Sequence, residues 1–290
     1  MTAMAFDYSE PQSIAEGIAL AGRFGPAASF IAGGTDLVIQ MRRKSRQPSH
    51  VISLQALDEL KQIERDGDIV TLGALLTHKQ LEDYFAAEPA MLGLIESARV
   101  IGGHQVRNAG TIGGNICNAS PAADLLPQLL TLGAEVELAG PAGRRWLKLS
   151  DFLLGPGRTA RAQDELLTRV RFAMPGKGGA TAFIKAGRRR AMEISLISVA
   201  VRIAGAGASD CGQVAIAIGA AAPVAFRASE AEALLHGQPR DAALLKRAGE
   251  VAAAQATPLS DVRASADYRR RLIAALVPRA VMACLERLAP

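Results

Sequence analysis

The sequence predicts an α+β fold in more than one unit. Three observations lead there: a short β-α-β-type stretch at the start, two marked hairpins in the middle, and three alternating strands near residue 180 followed only by helical sequence. With 290 residues the chain is long enough for two or three units, each with its own core.

The first unit covers residues 1–55. Ser13-Ile-Ala-Glu16 has the capping-box spacing with an apolar stripe behind it, which predicts a helix over 13–23. SFIAGGTDL and the HVISL segment at 50–54 are short apolar runs bounded by turn residues and a basic stretch, and read as strands.

The second unit covers residues 56–176. Asp66-Gly67 sits between two alternating stretches of LKQIERDGDIVTLGAL, a strong hairpin signal. Thr77-His-Lys-Gln80 caps a helix, and another follows Pro89. A glycine-rich stretch spans 102–114, and Ser120-Pro121 is expected to open a further helix, because proline suits the first helical position. AEVELAG–PAG–RRWLKLS is a second hairpin, ending near SDFLLG.

MPGKGG at 174–179 reads as the linker into a third unit, 177–290. TAFIKAG, EISLISVAVRIAG and GQVAIAIGA alternate as three strands of an antiparallel sheet, and the chain is helical from Ser229. Pro278 falls inside the last helical pattern and is expected to kink or split it.

Composition excludes several functions. Hydrophobic residues make up 49% and charged residues 21%, and no apolar run approaches the ~20 residues that cross a bilayer. The N-terminal MTAMAFDYSEPQS has neither a basic start nor an apolar stretch, so no secretory signal is expected and the chain reads as cytoplasmic. A net charge of +5 is spread over scattered groups, and only 4% of residues are aromatic, which argues against nucleic acid as a partner. The runs Arg42–Arg43–Lys44, Arg188–Arg189–Arg190 and Arg269–Arg270–Arg271 read as solvated faces or subunit contacts. Cys117, Cys211 and Cys284 lie too far apart and are too few for a disulfide framework, a zinc site or an iron–sulfur cluster on this chain.

Two glycine loops carry the chemistry. AGGTD at 32–36 places Gly33-Gly34, Thr35 and Asp36 directly after a strand, and NAGTIGGNICNASPAADLLP at 108–127 repeats the design with Gly110-Thr111 and Gly113-Gly114-Asn115. Glycines allow positive φ and close backbone approach, and each loop is expected to leave amide donors free for a diphosphate. GxxxxGK[ST] and GxGxxG are both absent, so neither a P-loop nor a Rossmann site is supported. Either loop alone is better explained by a tight turn; two of them in one chain favour a shared dinucleotide. Asp124 has two readings, a carboxylate stabilising a helix N-terminus or an acceptor for sugar hydroxyls beside the diphosphate.

AGGTDL near 32, TIGGNICNASPAADLLP near 111 and FIKAGRRRAMEIS at 183–195, in this order and over essentially the whole chain, resemble the FAD-binding medium subunits of the molybdenum hydroxylases. That family includes the flavoprotein subunit of aerobic carbon monoxide dehydrogenase and the FAD domain of xanthine dehydrogenase. The resemblance implies a two-subdomain FAD-binding fold of the vanillyl-alcohol-oxidase type over 1–176, followed by a C-terminal α+β domain with a three-stranded antiparallel sheet and helices. It implies a first diphosphate loop of Ala32, Gly33, Gly34, Thr35, Asp36 and Leu37, and a second of Gly110, Thr111, Gly114 and Asn115. Ile101, Gly102 and Val106 are implied along the FAD ahead of the second loop, with Asp124 as hydrogen-bond acceptor. Lys185 matches a lysine near the flavin, where a cation stabilises the anionic reduced ring; its other reading is a lysine pointing outward from a strand.

The implied role is electron transfer without a catalytic side chain on this chain. A large subunit with a molybdopterin cofactor oxidises substrate, a small subunit with two 2Fe-2S clusters relays electrons singly, and FAD releases them in pairs to an external acceptor. The resemblance implies a dimer of heterotrimers, that is a heterohexamer. The branch with an inserted cysteine-rich loop for a further cluster is rejected, since the cysteines are missing. Two other readings are a stand-alone FAD-dependent oxidoreductase, which needs an acid or base beside a pocket on this chain, and a non-catalytic nucleotide-binding or assembly protein. The substrate is set by the large subunit and is not written in this sequence.

Overall fold

The computed structural model describes residues 5–189, 192–207 and 209–288. Strands Asp7–Ser9 and Ala28–Ile31 flank His50–Ser53 in a three-stranded parallel sheet. The central strand is buried along its whole length, as expected where crossovers cover a parallel sheet. Helix Ile14–Phe24 makes the first crossover, with the Ser13 hydroxyl accepting from the Glu16 amide at 3.1 Å. The Glu16 carboxylate accepts from the Gln12 amide at 2.7 Å. The reciprocal half of the capping box therefore lands one residue early.

The middle of the chain forms a five-stranded antiparallel sheet. Its order is Ile63–Asp66, Ile69–Gly73, Leu166–Ala173, Glu135–Gly140, Gly143–Lys148. Both hairpins are present, and Leu166–Ala173 joins them at the centre. Helix His78–Phe85 carries the full Thr77/Gln80 capping box. The helix expected from Ser120-Pro121 begins instead at Leu125 and ends at Thr131. Ala119 adopts a left-handed φ of 44°, the Ser120 hydroxyl accepts from the Ala122 amide at 3.3 Å, and the Ala123 amide donates to the Ser120 carbonyl. A serine side chain that closes a turn on itself competes with the helix it would otherwise cap.

The C-terminal sheet has four antiparallel strands: Ala180–Ala186, Ile197–Ala204, Gln213–Gly219 and Phe226–Arg227. The fourth is two residues long, too short to register as a period-two pattern. Helices Ser229–Leu235 and Ala266–Glu286 pack on this sheet, and helix Ala242–Gln255 packs on those two helices. Pro278 does not split the last of them. Proline removes the donor that the Ala274 carbonyl would have used, and helix Ala242–Gln255 meets that carbonyl with a glycine. A Cβ on Gly249 would sit 2.4 Å from the Ala274 oxygen and 2.9 Å from Pro278 Cδ.

The C-terminal sheet is bolted to the middle of the chain. Helix Leu92–Arg99 lies against strand Ala180–Ala186 through Gly93, whose amide donates to Thr181 Oγ1 at 3.0 Å. The Glu96 carboxylate accepts from the Phe183 amide at 3.0 Å and pairs with Arg287 at 2.5 Å. All seven residues of helix Leu125–Thr131 are buried; the helix packs on the C-terminal sheet, and its leucines share a core with Val70, Leu72 and Val136 of the middle sheet. Among the described residues, no helix is long and apolar enough to cross a membrane.

Candidate functional site

The first glycine loop leaves strand Ala28–Ile31 and enters helix Leu37–Arg42. Gly34 takes a φ of 70°, a conformation only glycine adopts cheaply. Among the described residues, nothing accepts from the amides of Gly33, Gly34, Thr35, Asp36 or Leu37. Asp36 stands at the start of the helix without capping it, and desolvation holds its carboxyl above the ordinary range. The Leu37 side chain packs in the core with Met41 and Val51, so only its backbone faces the loop.

The second loop behaves differently. Helix His104–Ala109 runs into Gly110 and Thr111, and helix Ile112–Asn118 follows. The Gly110 amide donates to Val106, Ile112 to Leu76, Gly113 to Ala74 and Asn115 to Thr111. Gly114 donates to Thr111 Oγ1 at 3.0 Å. The expectation that both loops leave a row of free amides therefore fails for the second, which is stitched to the segment that follows strand Ile69–Gly73 and to itself. What it presents is space and one orphaned acceptor. A Cβ on Gly114 would meet only Thr111 Oγ1 within 4 Å, and Asn115 Oδ1 is buried with no partner.

The two loops touch. A Cβ on Gly33 would lie 1.7 Å from the Ala109 carbonyl oxygen. Gly33 is thus a packing glycine, where the sequence suggested a ligand-approach glycine. Gln40 Nε2 reaches Asn118 Oδ1 at 3.4 Å and ties the two following helices together.

Ahead of the second loop, Gly102 has a φ of 51° and admits the Val106 side chain, 2.8 Å from where its Cβ would be. Ile101 packs on the main core. Arg107 Nη1 donates weakly to the carbonyls of Ile101 and Gly102, each at 3.4 Å, and its Nε is buried without a partner. His78 donates its amide to Gly110, and its imidazole is driven down to about 4 by burial and then by Arg107. Neither Arg107 nor His78 was singled out from the sequence as a site residue. A lone arginine inside the glycine-rich stretch was the available signal.

Asp124 and Lys185, which enter the sequence analysis separately, are one ion pair at 2.7 Å. Their side chains are 7% and 12% exposed, so the outward-facing reading of Lys185 does not hold. Lys185 also donates to the Val100 carbonyl at 3.3 Å. Burial raises the Asp124 carboxyl, opposed by Lys185 and by the hydroxyl of Ser195. Asp124 stands at the N-cap position of helix Leu125–Thr131 and makes no side-chain capping hydrogen bond. Arg188 and Arg189 turn to Glu193 at 3.6 and 2.9 Å on the surface; Arg190 lies outside the described residues. Among the described residues there is no cluster of three or more metal-ligating side chains.

Free amides on one loop, an open glycine face on the other and an unpartnered Asn115 oxygen make a donor and acceptor set that fits a dinucleotide lying across the two loops. The comparisons with known proteins agree. The family model described as FAD binding domain in molybdopterin dehydrogenase matches residues 4–175, and the CO dehydrogenase flavoprotein C-terminal domain matches residues 182–284. The chain is 33% identical to the carbon monoxide dehydrogenase medium chain of Afipia carboxidovorans, over 95% of each protein. It is 33% identical to the nicotinate dehydrogenase FAD-subunit of Eubacterium barkeri, over 81% of this chain and 80% of that one. The solved structure of carbon monoxide dehydrogenase from Hydrogenophaga pseudoflava superposes with a TM-score of 0.95 at 31% identity, covering 100% of both chains.

Proposed function

The chain belongs to the FAD-binding subunits of the molybdopterin dehydrogenases, and from that premise we propose how its residues serve the cofactor and the complex. The protein is the flavoprotein subunit of a molybdenum hydroxylase and an oxidoreductase component. FAD, when bound, takes electrons singly and releases them in pairs. No side chain of this chain need act as nucleophile or general base for that relay.

The observation that carries the reading is the row of unpaired amides at 33–37 beside the open face at Gly114. The Gly33, Gly34, Thr35 and Asp36 amides offer hydrogen bonds to a diphosphate. Thr111 and Gly114 form the opposing wall, and Asn115 Oδ1 accepts from a cofactor hydroxyl. Ala32, Ile101, Gly102, Val106 and Gly110 shape the backbone around them. The Asp124–Lys185 pair supplies the charged end of the site: the carboxylate as acceptor, the ammonium as the cation that favours a reduced, anionic ring.

We divide the chain into an FAD-binding domain of residues 1–176, with subdomains 1–55 and 56–176, and a C-terminal domain of residues 177–290. The placement of the three large sheets in separate ranges supports this division. The partners are a large subunit carrying the molybdopterin cofactor and a small subunit carrying two 2Fe-2S clusters, assembled as a dimer of heterotrimers in the cytoplasm. An external acceptor reoxidises the flavin. Medium-chain relatives support the partner assignment.

The test is spectroscopic. The purified chain is mixed with FAD, desalted, and its visible spectrum recorded before and after heat denaturation. Near-stoichiometric flavin released intact as FAD is the expected result. A colourless protein, both alone and when purified with its native partners, overturns it.

A further inference from the structure

Ser195 lies in none of the elements that carry the proposed FAD contacts, yet it touches the charged end of the site. It is 1% exposed, and its hydroxyl donates a hydrogen bond to Asp124 Oδ1. The other carboxylate oxygen, Oδ2, accepts from Lys185. The two acceptor atoms of Asp124 are thereby assigned to different donors.

Ser195 is itself held from two sides. The amide of the next residue, Leu196, donates to Ala186, one residue beyond Lys185 on its strand. The Leu196 carbonyl accepts from Arg269, a guanidinium 3% exposed within the last helix and paired with Asp261 at 3.1 Å. A buried cation on the C-terminal helix thus fixes the backbone that aims the serine.

We propose that Ser195 is a positioning residue for the cofactor site: its hydroxyl fixes one oxygen of Asp124 so that the other is presented to Lys185. This rests on the assignment of Asp124 and Lys185 to the flavin end of the site. Lys185, from strand Ala180–Ala186, is the one charged group acting on the Asp124 carboxyl; helix Leu125–Thr131 and the 195–196 segment bring none. The serine hydroxyl favours the ionised carboxylate, whereas burial favours the protonated form. Removing the hydroxyl therefore moves the protonation of Asp124 to higher pH.

The experiment is a set of thermal melts of the full chain between pH 4 and 9, for the parent, Ser195→Ala, Ser195→Thr and Asp124→Asn, with FAD affinity measured in parallel by flavin fluorescence. A carboxyl raised in the folded state costs stability as pH climbs through the raised value, so the parent profile carries a decline that Asp124→Asn lacks. Ser195→Ala should move that decline upward by about one pH unit, the worth of a hydrogen bond to a charged group. Ser195→Thr, which keeps the hydroxyl, should restore it. A uniform loss of melting temperature at all pH values, no change, or an equal shift in Ser195→Thr overturns the inference. Asp124→Asn should weaken FAD at least tenfold. If it does not, the site assignment itself fails; if it does while Ser195→Ala leaves the profile in place, only the serine inference fails.

Discussion

Gly33 and Ala109 are in backbone contact, with room for nothing larger than hydrogen on Gly33: a Cβ there would lie 1.7 Å from the Ala109 carbonyl oxygen. This contact joins the first glycine loop to the end of the helix that leads into the second. It separates two glycines whose roles look alike in the sequence.

Gly33→Val should therefore cost stability as well as cofactor, by about 3 kcal/mol of overpacking against a rigid carbonyl. Gly114→Val meets only Thr111 Oγ1 nearby, so stability should change by about 1 kcal/mol or less while FAD retention is lost. Denaturation curves and flavin occupancy on both variants check this. Equal loss of stability in the two would remove the distinction.

Lys185 neutralises a carboxylate that water barely reaches. Lys185→Met strands that charge and should destabilise the chain by about 3–5 kcal/mol. Adding Asp124→Asn to Lys185→Met should recover most of it, since the uncompensated charge is gone. A double-mutant cycle in urea reads the coupling; additive losses would mean that the 2.7 Å contact carries no energy.

His78 gives the fold an acid sensitivity. Its value drops from 6.5 to about 4 in the folded chain, through burial and Arg107. The unfolded chain therefore takes up a proton first, and stability falls as pH drops through the window from 6.5 to about 4. Fully developed, the loss is about 3 kcal/mol. His78→Gln should flatten the urea-midpoint profile over that window while leaving the profile above pH 7 parallel to the parent's.

Gly249→Ala should destabilise, against the usual helix preference of about 1 kcal/mol for alanine, because the methyl has nowhere to go beside the Ala274 carbonyl and the Pro278 ring. A net loss of about 1–3 kcal/mol is expected. A raised melting temperature would show that the two helices separate freely there.

What was legible in the sequence follows from how local its cause is. The Asp66-Gly67 turn, the Thr77/Gln80 capping box and the alternation through 180–219 act over a few residues, and each element stands where these signals put it. Ser120-Pro121 misled, because a left-handed Ala119 and a serine-closed turn hold the chain out of helix until Leu125. Pro278 does not split its helix, and the glycine of a neighbouring helix lies against the Ala274 carbonyl that the proline leaves without a donor. In the site, the loops were legible as glycine patterns. The pairing of Asp124 with Lys185, 61 residues apart, was not, because nothing local links them. The use of the second loop's amides by Leu76 and Ala74 was hidden for the same reason.

Helix Leu125–Thr131 has no solvent face: it packs on the C-terminal sheet, and its leucines share a core with residues of the middle sheet. Domains joined by a thin, wet interface swing relative to each other; here Ala217 and Ala225 of the C-terminal domain belong to the core of the middle unit. The middle of the chain and the C-terminal domain are therefore expected to move as one block. For a protein whose task is to hold a redox centre between a donor and an acceptor, that rigidity has a kinetic meaning. The tunnelling distance is set once, when the chain folds, and not renegotiated with each turnover.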